Sequence, residues 1–498
     1  MIPKDWTRKL KLKFLFFPYF WRLKKIDLNF GTEITQLEVF QHLRKIVAET
    51  KTETYIVGGY VRDLLLGRPC KDIDVVCLGS GLDLAEKFAS LYGEKAEVSL
   101  FKNFGTAMVK IPDWEVEFVG ARKESYQRDS RKPIVEDGTL KEDQDRRDFT
   151  INALAISLNG QNWGELIDPF GGVAHLKEKI IKTPLGPDIT FSDDPLRMMR
   201  AIRFATQLNF DIEPDTFDAI IRNKERIEIV SKERIVDELN KIILAKKPSY
   251  GFNLLFHSGL LPLIFPEMAA LQGAEEKDGK GHKDNFYHTL KVLDNVCQTS
   301  NDLWLRWAAI MHDIAKPPTK RFDPKHGWTF HGHEELGAKM TPKIFAKMKL
   351  PLNEKMRFVQ KLVRLHLRPI ALAKQGVTDS AIRRLLFEAG EDSEALMKLC
   401  RADITSKNND KKQRYLANFD KVEKLMQEVE EQDHLRNFQP AFTGQHIMDV
   451  FGLAPGPEVG KLKLALREAI LDNKVKNTEE DSLRYILEIG EKQGLKPC

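Results

Sequence analysis

The segment TYIVGGYVRDLLLGRPCKDIDVV, Thr54 to Val76, constrains this chain more than any other. It opens as a β-branched run, Tyr55 to Val57, and breaks at Gly58-Gly59. The apolar period of a helix continues from Val61 to Leu66, and Gly67 closes it. A strand that turns through glycine into a helix start can aim backbone N–H groups at phosphate oxygens. Arg62 lies just past the turn, where it would meet a negative ligand. Ile73 to Val76 reads as a second strand, and strand alternation puts Asp72 and Asp74 on one face. Two adjacent carboxylates repel unless a divalent cation lies between them. Mg²⁺ suits such a pair, because it takes one or two carboxylates together with substrate phosphates. Metal ions so placed can activate a hydroxyl and stabilise a leaving pyrophosphate. Without a cation the same residues are a glycine turn and a surface acid pair.

This stretch resembles the signature of the nucleotidyltransferase superfamily that includes DNA polymerase β. More closely, it resembles the first motif of bacterial tRNA nucleotidyltransferases (CCA-adding enzymes) and the related poly(A) polymerases. The resemblance implies an α+β fold: a polymerase-β-like head with a mixed sheet, then an all-helical neck, HD domain and tail. In that family Asp72 and Asp74 would hold Mg²⁺, with Glu117, in VEFVGAR, as a third catalytic carboxylate. RRDFTINAL, Arg146 to Leu154, matches the second motif, which implies that Arg147, Asp148 and Asn152 hold the sugar and phosphates of the nucleotide, as Gly58, Gly59 and Arg62 would. Ile167 to Lys182 resembles the third motif, joining the head to the next domain.

FSDDPLRMMRAIRFATQL, Phe191 to Leu208, carries the fourth motif, with Asp193 where the family has Glu. Ser192 reads as its N-cap and Pro195 as a first-turn residue. Asp194 and Arg197 are then i,i+3 neighbours on a helix, and Arg200 continues that face. Cytosine and adenine both present an amino donor beside a ring-nitrogen acceptor. A carboxylate that accepts and a guanidinium that donates would select these two bases together. Arg200 is assigned to phosphate or positioning.

From Asn285 a second chemistry begins. His288, the doublet His312-Asp313 in WAAIMHDIAKP, and Asp403 occur in the order of HD-domain phosphohydrolases, which this region resembles. Imidazole and carboxylate ligands on separate helices can bind divalent transition ions such as Ni²⁺, Mn²⁺ or Co²⁺. His333 and His366 would complete a second ion, and His331 could stand behind them. The alternative is a module kept for packing or RNA docking.

Length and composition fit this organisation. At 498 residues the chain holds several domains. We divide it into a basic-aromatic extension (1–35), head (36–185), neck (186–268), HD domain (269–410) and tail (411–498). Polar residues 121–145 read as a loop, and 269–284 as a linker or loop. The apolar stretch Phe14 to Trp21 is too short to span a bilayer. Net charge is only +5, so an RNA surface must come from local clustering. Five scattered cysteines argue for a reducing cytoplasm rather than disulfides. The expected function is template-independent addition of CMP and AMP to the 3′ end of tRNA, using CTP and ATP, with an HD phosphohydrolase activity beside it. The alternatives are a poly(A) polymerase, a CC-only or A-only enzyme, or an HD phosphohydrolase with a nucleotide-sensing head.

Overall fold

The computed structural model describes residues 29–101, 105–125, 134–281, 284–375, 378–406, 408–433 and 440–498. Residues 1–28, the basic-aromatic stretch, lie outside these. The chain forms two compact units, Met1–Ile242 with Asn253–Leu263, and Ile243–Phe252 with Ile264–Cys498.

The first unit is built on a seven-stranded mixed sheet. Its strands are β1 (Thr54–Val57), β2 (Asp72–Cys77), β3 (Glu97–Phe101), β4 (Thr106–Ile111), β5 (Trp114–Gly120), β8 (Ala155–Ser157) and β9 (Leu166–Ile167), ordered β3-β4-β5-β2-β1-β8-β9. β1 is buried along its whole length, as its run of Tyr, Ile and Val demands. Only β2 and β5 run parallel among the neighbouring pairs of this sheet, and that register places Asp74 beside Glu117 and Asp72 beside Glu115. The helix Gly81–Ser90, N-capped by Ser80, lies in the connection between them and packs Leu84, Ala85 and Phe88 inward. Phe88 meets Phe118 of β5 at 5.3 Å between ring centroids.

Two expectations for this unit change. Residues 121–145 are not a loop throughout: β6 (Arg122–Ser125) pairs antiparallel with β7 (Ile134–Asp137). The helix Leu140–Asp145 comes next, started by a reciprocal capping box between Thr139 and Glu142. Residues 29–35, assigned to the extension, are docked on the head: Phe30 is buried, and the Trp163 indole N–H donates to Thr35 Oγ1 at 2.9 Å. The neck in this unit is helical apart from a short parallel pairing of Ile180–Ile181 with Asp211–Ile212.

The second unit is a helical bundle that also carries two small hairpins, Glu276–Lys277 with Lys280–Gly281, within 269–284, and Arg321–Asp323 with Gly327–Thr329. Trp307 is fully buried against Phe265 and Phe345. Beside it Arg306, 1% exposed, donates to the carbonyls of Ile243, Ala245 and Ser300 and to Asn301 Oδ1. A buried guanidinium is tolerable there because carbonyls fill its donor positions. The tail helices Gly444–Phe451, Pro457–Leu471 and Glu479–Lys492 share a core of Ile447, Leu462, Leu466 and Ile486. Among the described residues no helix is long and apolar enough to cross a membrane.

Candidate functional site

The glycine turn places the head residues. Gly58 has φ +74°, and a Cβ there would stand 2.9 Å from Asp74 Oδ2 and 3.1 Å from Arg147 Nη1. Glycine is therefore required both by the backbone and by the close approach of these side chains. The Gly58 N–H donates to Leu154 O at 3.3 Å, so it serves the fold rather than a phosphate. Gly59 begins the helix Gly59–Leu65, and Gly67, at φ +64°, lies just past its end as expected.

Asp74 and Glu117 open into a cavity of about 330 Å³, together with Arg122, Arg146, Arg147, Asp148, Asp194, Arg197, Arg200 and Arg234. Burial pushes the Asp74 carboxyl above the usual carboxylate range; the neighbouring Asp72 charge adds to this, and Arg147 and Arg62 oppose it. Glu117 is raised by burial and by Asp74. Such crowding is the donor chemistry that a divalent cation relieves. Asp72, at the exposed start of β2, is not among the residues lining the cavity.

Other head residues are tied to one another. Arg62 is buried, forked onto Asp63 at 3.0 and 2.8 Å, and donates to Asn152 Oδ1 at 2.8 Å. Asn152 in turn donates to Asp148 Oδ1 at 2.9 Å, and Arg200 donates to Asp148 Oδ2 at 2.7 Å. Burial would raise Asp148, but Arg200 and the Asn152 amide hold it below the usual carboxylate range. A chain of polar contacts thus runs from the glycine-turn helix, through Asp148 and Arg200 in the cavity wall, to the helix Leu196–Leu208.

Asp194 is not on that helix. Ser192 lies within the preceding helix, Pro187–Asp193, and Asp194 sits extended in the break before Pro195. Its Oδ1 accepts from Leu196 N–H at 3.1 Å, while Oδ2 lies 3.4 Å from Arg234 Nη2. The break arises because proline disfavours helical backbone in the residue before it. Asp194 and Arg197 still reach one cavity. The Arg197 guanidinium is held by the carbonyl of Thr190, at 3.4 Å, and by that of Arg146. Sequence reasoning misses Arg234, Arg146 and Asp143. Thr139 and Glu142, at capping-box spacing, are the signal that could have shown the short helix carrying Asp143.

In the second unit five helices bring the HD residues together. His288 lies in Asn285–Cys297, His312 and Asp313 come directly after Leu303–Met311, and His333 opens His333–Met348. His366 caps Glu354–Leu365, and Asp403 ends Ser393–Asp403. Asp313 stands between two groups. Its Oδ2 faces His288 Nε2 at 3.5 Å and His312 Nε2 at 3.2 Å; its Oδ1 faces His333 Nε2 at 3.3 Å and His366 Nε2 at 3.9 Å. Asp403 Oδ1 is 2.9 Å from His288 Nε2. Lys316 Nζ, unremarked in the sequence, reaches Asp313 Oδ2 at 2.6 Å. His331 is exposed and stands apart from these contacts.

Ring orientation tests whether this set fits metal. His312, His333 and His366 each direct Nδ1 to the carbonyl three residues earlier, at 2.7 Å. A carbonyl only accepts, so Nδ1 carries the proton and Nε2 the lone pair. All three Nε2 atoms are buried without a hydrogen-bond partner. Three orphaned lone pairs around a buried carboxylate are costly unless a cation gathers them. Burial lowers His366 to about 4, which keeps it neutral at pH 7. Burial opposes ionisation of Asp313, yet the Lys316 ammonium beside it works the other way, and the carboxyl lies well below the usual carboxylate range. Among the described residues, the sets His288, His312, Asp403 and Asp313, His333, His366 each gather their ligand atoms within 4.8 Å. The residues fit two ions.

The mixed-sheet head joined to helical neck and HD segments is the architecture of nucleotidyltransferases with an HD domain. Comparison with known proteins agrees. Residues 54–182 match the Poly A polymerase head domain, 209–272 the "Probable RNA and SrmB- binding site of polymerase A", and 285–408 the HD domain. The A-adding tRNA nucleotidyltransferase of Deinococcus radiodurans is 32% identical over 66% of this chain and 75% of its own length. The CC-adding tRNA nucleotidyltransferase of Thermus thermophilus is 28% identical over 88% of this chain and 94% of its own. The fold matches that of the Bacillus stearothermophilus CCA-adding enzyme in complex with CTP, with TM-score 0.64 and 22% identity over 92% of this chain and 99% of that one. This chain belongs to the tRNA nucleotidyltransferase and poly(A) polymerase family, whose head and HD domains imply use of divalent metal ions.

Proposed function

We propose that this protein adds CMP and AMP to the 3′ end of tRNA without a nucleic-acid template, and releases pyrophosphate. One observation carries the reading: Asp194 and the doubly anchored Arg197 line the same cavity as Asp74 and Glu117. A fixed guanidinium and carboxylate offer a pairing edge that belongs to the protein. The acids of β2 and β5, with Asp72, would hold Mg²⁺, which when bound lowers the charge on phosphate oxygens and supports attack by the RNA 3′-hydroxyl. Arg146, Arg147 and Arg200 supply positive charge along the wall for the triphosphate. A tRNA lacking its last three nucleotides, incubated with CTP, ATP and Mg²⁺, should gain three residues. The names of the Deinococcus and Thermus relatives favour a second reading, partial addition, in which the product stops after C-C or forms only from a C-C end. No extension of this tRNA, nor of one already ending in C-C, would overturn both. The unpaired state of all five cysteines supports a reducing compartment, which we take to be the cytoplasm.

Base choice gives a sharper test. Arg197→Ala removes the donor that matches the ring nitrogen of C and A, and with it the donor-to-donor conflict against U and G. Unmet buried polar groups cost on the order of 1–3 kcal/mol, so discrimination should fall by roughly one to two decades. Arg200→Ala should slow all four nucleotides alike, because its partner is Asp148. Relative kcat/KM for four nucleotides decides it. If Arg197→Ala keeps the preference for C and A, the base is read elsewhere.

The HD cluster supports a second activity, hydrolysis of a phosphomonoester or a 2′,3′-cyclic phosphate with Ni²⁺, Mn²⁺ or Co²⁺. His288, His312 and Asp403 would hold one ion, His333 and His366 another, with Asp313 between them. Bound ions would supply an activated water at neutral pH.

A further inference from the structure

We propose that Asp143 is a positioning residue of the nucleotide cavity, setting Arg146 and Arg147 for the incoming triphosphate; this rests on the nucleotidyltransferase reading above. The Asp143 side chain is 0% exposed and is not among the cavity-lining residues, whereas both arginines are. Its two oxygens divide between them. Oδ1 accepts from Arg146 Nε at 3.1 Å and also from Nη2. Oδ2 accepts from Arg147 Nε at 3.0 Å and Nη2 at 2.9 Å. Each guanidinium is thus held along one edge, which fixes its plane as well as its place. Two adjacent arginines repel, and a carboxylate between their inner edges offsets that while leaving them on the wall. Burial works against the Asp143 charge, but Arg147 and Arg146 keep it below the usual carboxylate range.

The consequences reach both ends of the cavity. Arg147 Nη1 lies over the Gly58 turn beside Asp74. The Arg146 carbonyl is one of the two acceptors that anchor Arg197. The short helix carrying Asp143 is itself pinned by the Thr139–Glu142 capping box. One buried carboxylate therefore sets the phosphate-facing arginines next to the acids and steadies the residue that faces the base.

Asp143→Asn keeps the size but accepts through one atom, and presents an amide N–H₂ to the second guanidinium. Misplacement of about 1 Å can cost roughly a hundred-fold. We expect KM for CTP and ATP to rise about ten- to a hundred-fold together, with kcat changed less, in a folded protein. Replacing both Arg146 and Arg147 by alanine should show a similar rise, and adding Asp143→Asn to that pair should change KM little further. A purely structural role would make the two effects multiply, and an unchanged KM in folded Asp143→Asn would equally overturn the proposal. If Asp143→Asn does not fold, Asp143→Glu, which keeps the charge but shifts it by a methylene, should give a smaller KM rise, again masked when Arg146 and Arg147 are both alanine. Failure of the wild-type protein to incorporate either nucleotide would instead sink the underlying functional reading.

Discussion

Asp74→Asn should lose nearly all nucleotide incorporation while the protein melts no lower than wild type. The carboxylate is half-buried, close to Asp72 and level with Glu117 across the parallel pairing of β2 and β5. Metal and charge stabilisation of a phosphoryl transition state is worth several kcal/mol, and at roughly 1.4 kcal/mol per decade its loss lowers the rate about a thousand-fold or more. Stability should move the other way. Asp74 and Glu117 are both raised by burial and by neighbouring carboxylate charge, so in the metal-free fold they bind protons more tightly than in the unfolded chain. Their destabilising effect is absent below the ordinary carboxylate range, near about pH 4, and fully present once pH passes their folded values. Mg²⁺ should therefore raise the melting temperature more at neutral pH than near pH 4, and Asp74→Asn should weaken that response. Near-normal incorporation by Asp74→Asn in Mg²⁺ would remove this site from the chemistry.

How far these sites can be read from the sequence depends on whether a residue's role is local. The Gly58 turn, the alternation of Asp72 and Asp74 and the glycine end at Gly67 come from backbone rules over a few residues, and they stand in the structure. The partners of Arg62, Asp63 and Asn152, include one ninety positions away that no local pattern announces. Periodicity puts Asp194 on a helix although Pro195 argues for a break before it; the apolar period of the later residues outweighs the local restriction on the residue before proline. Glu117 reads as a third acid by resemblance, and its place opposite Asp74 comes from the register of β2 with β5, which no single strand contains. In the HD unit the ligand types are visible, but the position of Asp313 between two histidine groups depends on five helices meeting. Residues 1–28 lie outside the described structure, so their basic-aromatic pattern stays without a structural account.

Asp313→Ala should abolish metal-dependent phosphohydrolysis and remove both HD ions at once, whereas His366→Ala should remove one. The asymmetry comes from the contacts: Oδ2 of Asp313 faces His288 and His312, and Oδ1 faces His333 and His366. Losing this carboxylate strips a ligand from both groups and leaves Lys316 beside an uncompensated cluster. Losing His366 alone spares the set of His288, His312 and Asp403. Metal content of wild-type protein loaded with Mn²⁺ should be two per chain at this site, one in His366→Ala and none in Asp313→Ala. Because bound metal adds to the stability of the state that binds it, Mn²⁺ should raise the melting temperature of wild type, less so for His366→Ala and not for Asp313→Ala. Removing one member of a buried charged set costs on the order of 3–5 kcal/mol, so Asp313→Ala should also melt lower without metal. Asp403→Asn, at the more exposed edge, is the gentler companion, with phosphohydrolysis reduced and the fold retained. Nucleotide addition should persist in all the folded variants, since the cavity of Asp74 and Arg197 is built from the other unit. Two ions retained by Asp313→Ala would mean the histidine groups act separately. No ion bound by wild type would leave the HD unit as a packing module.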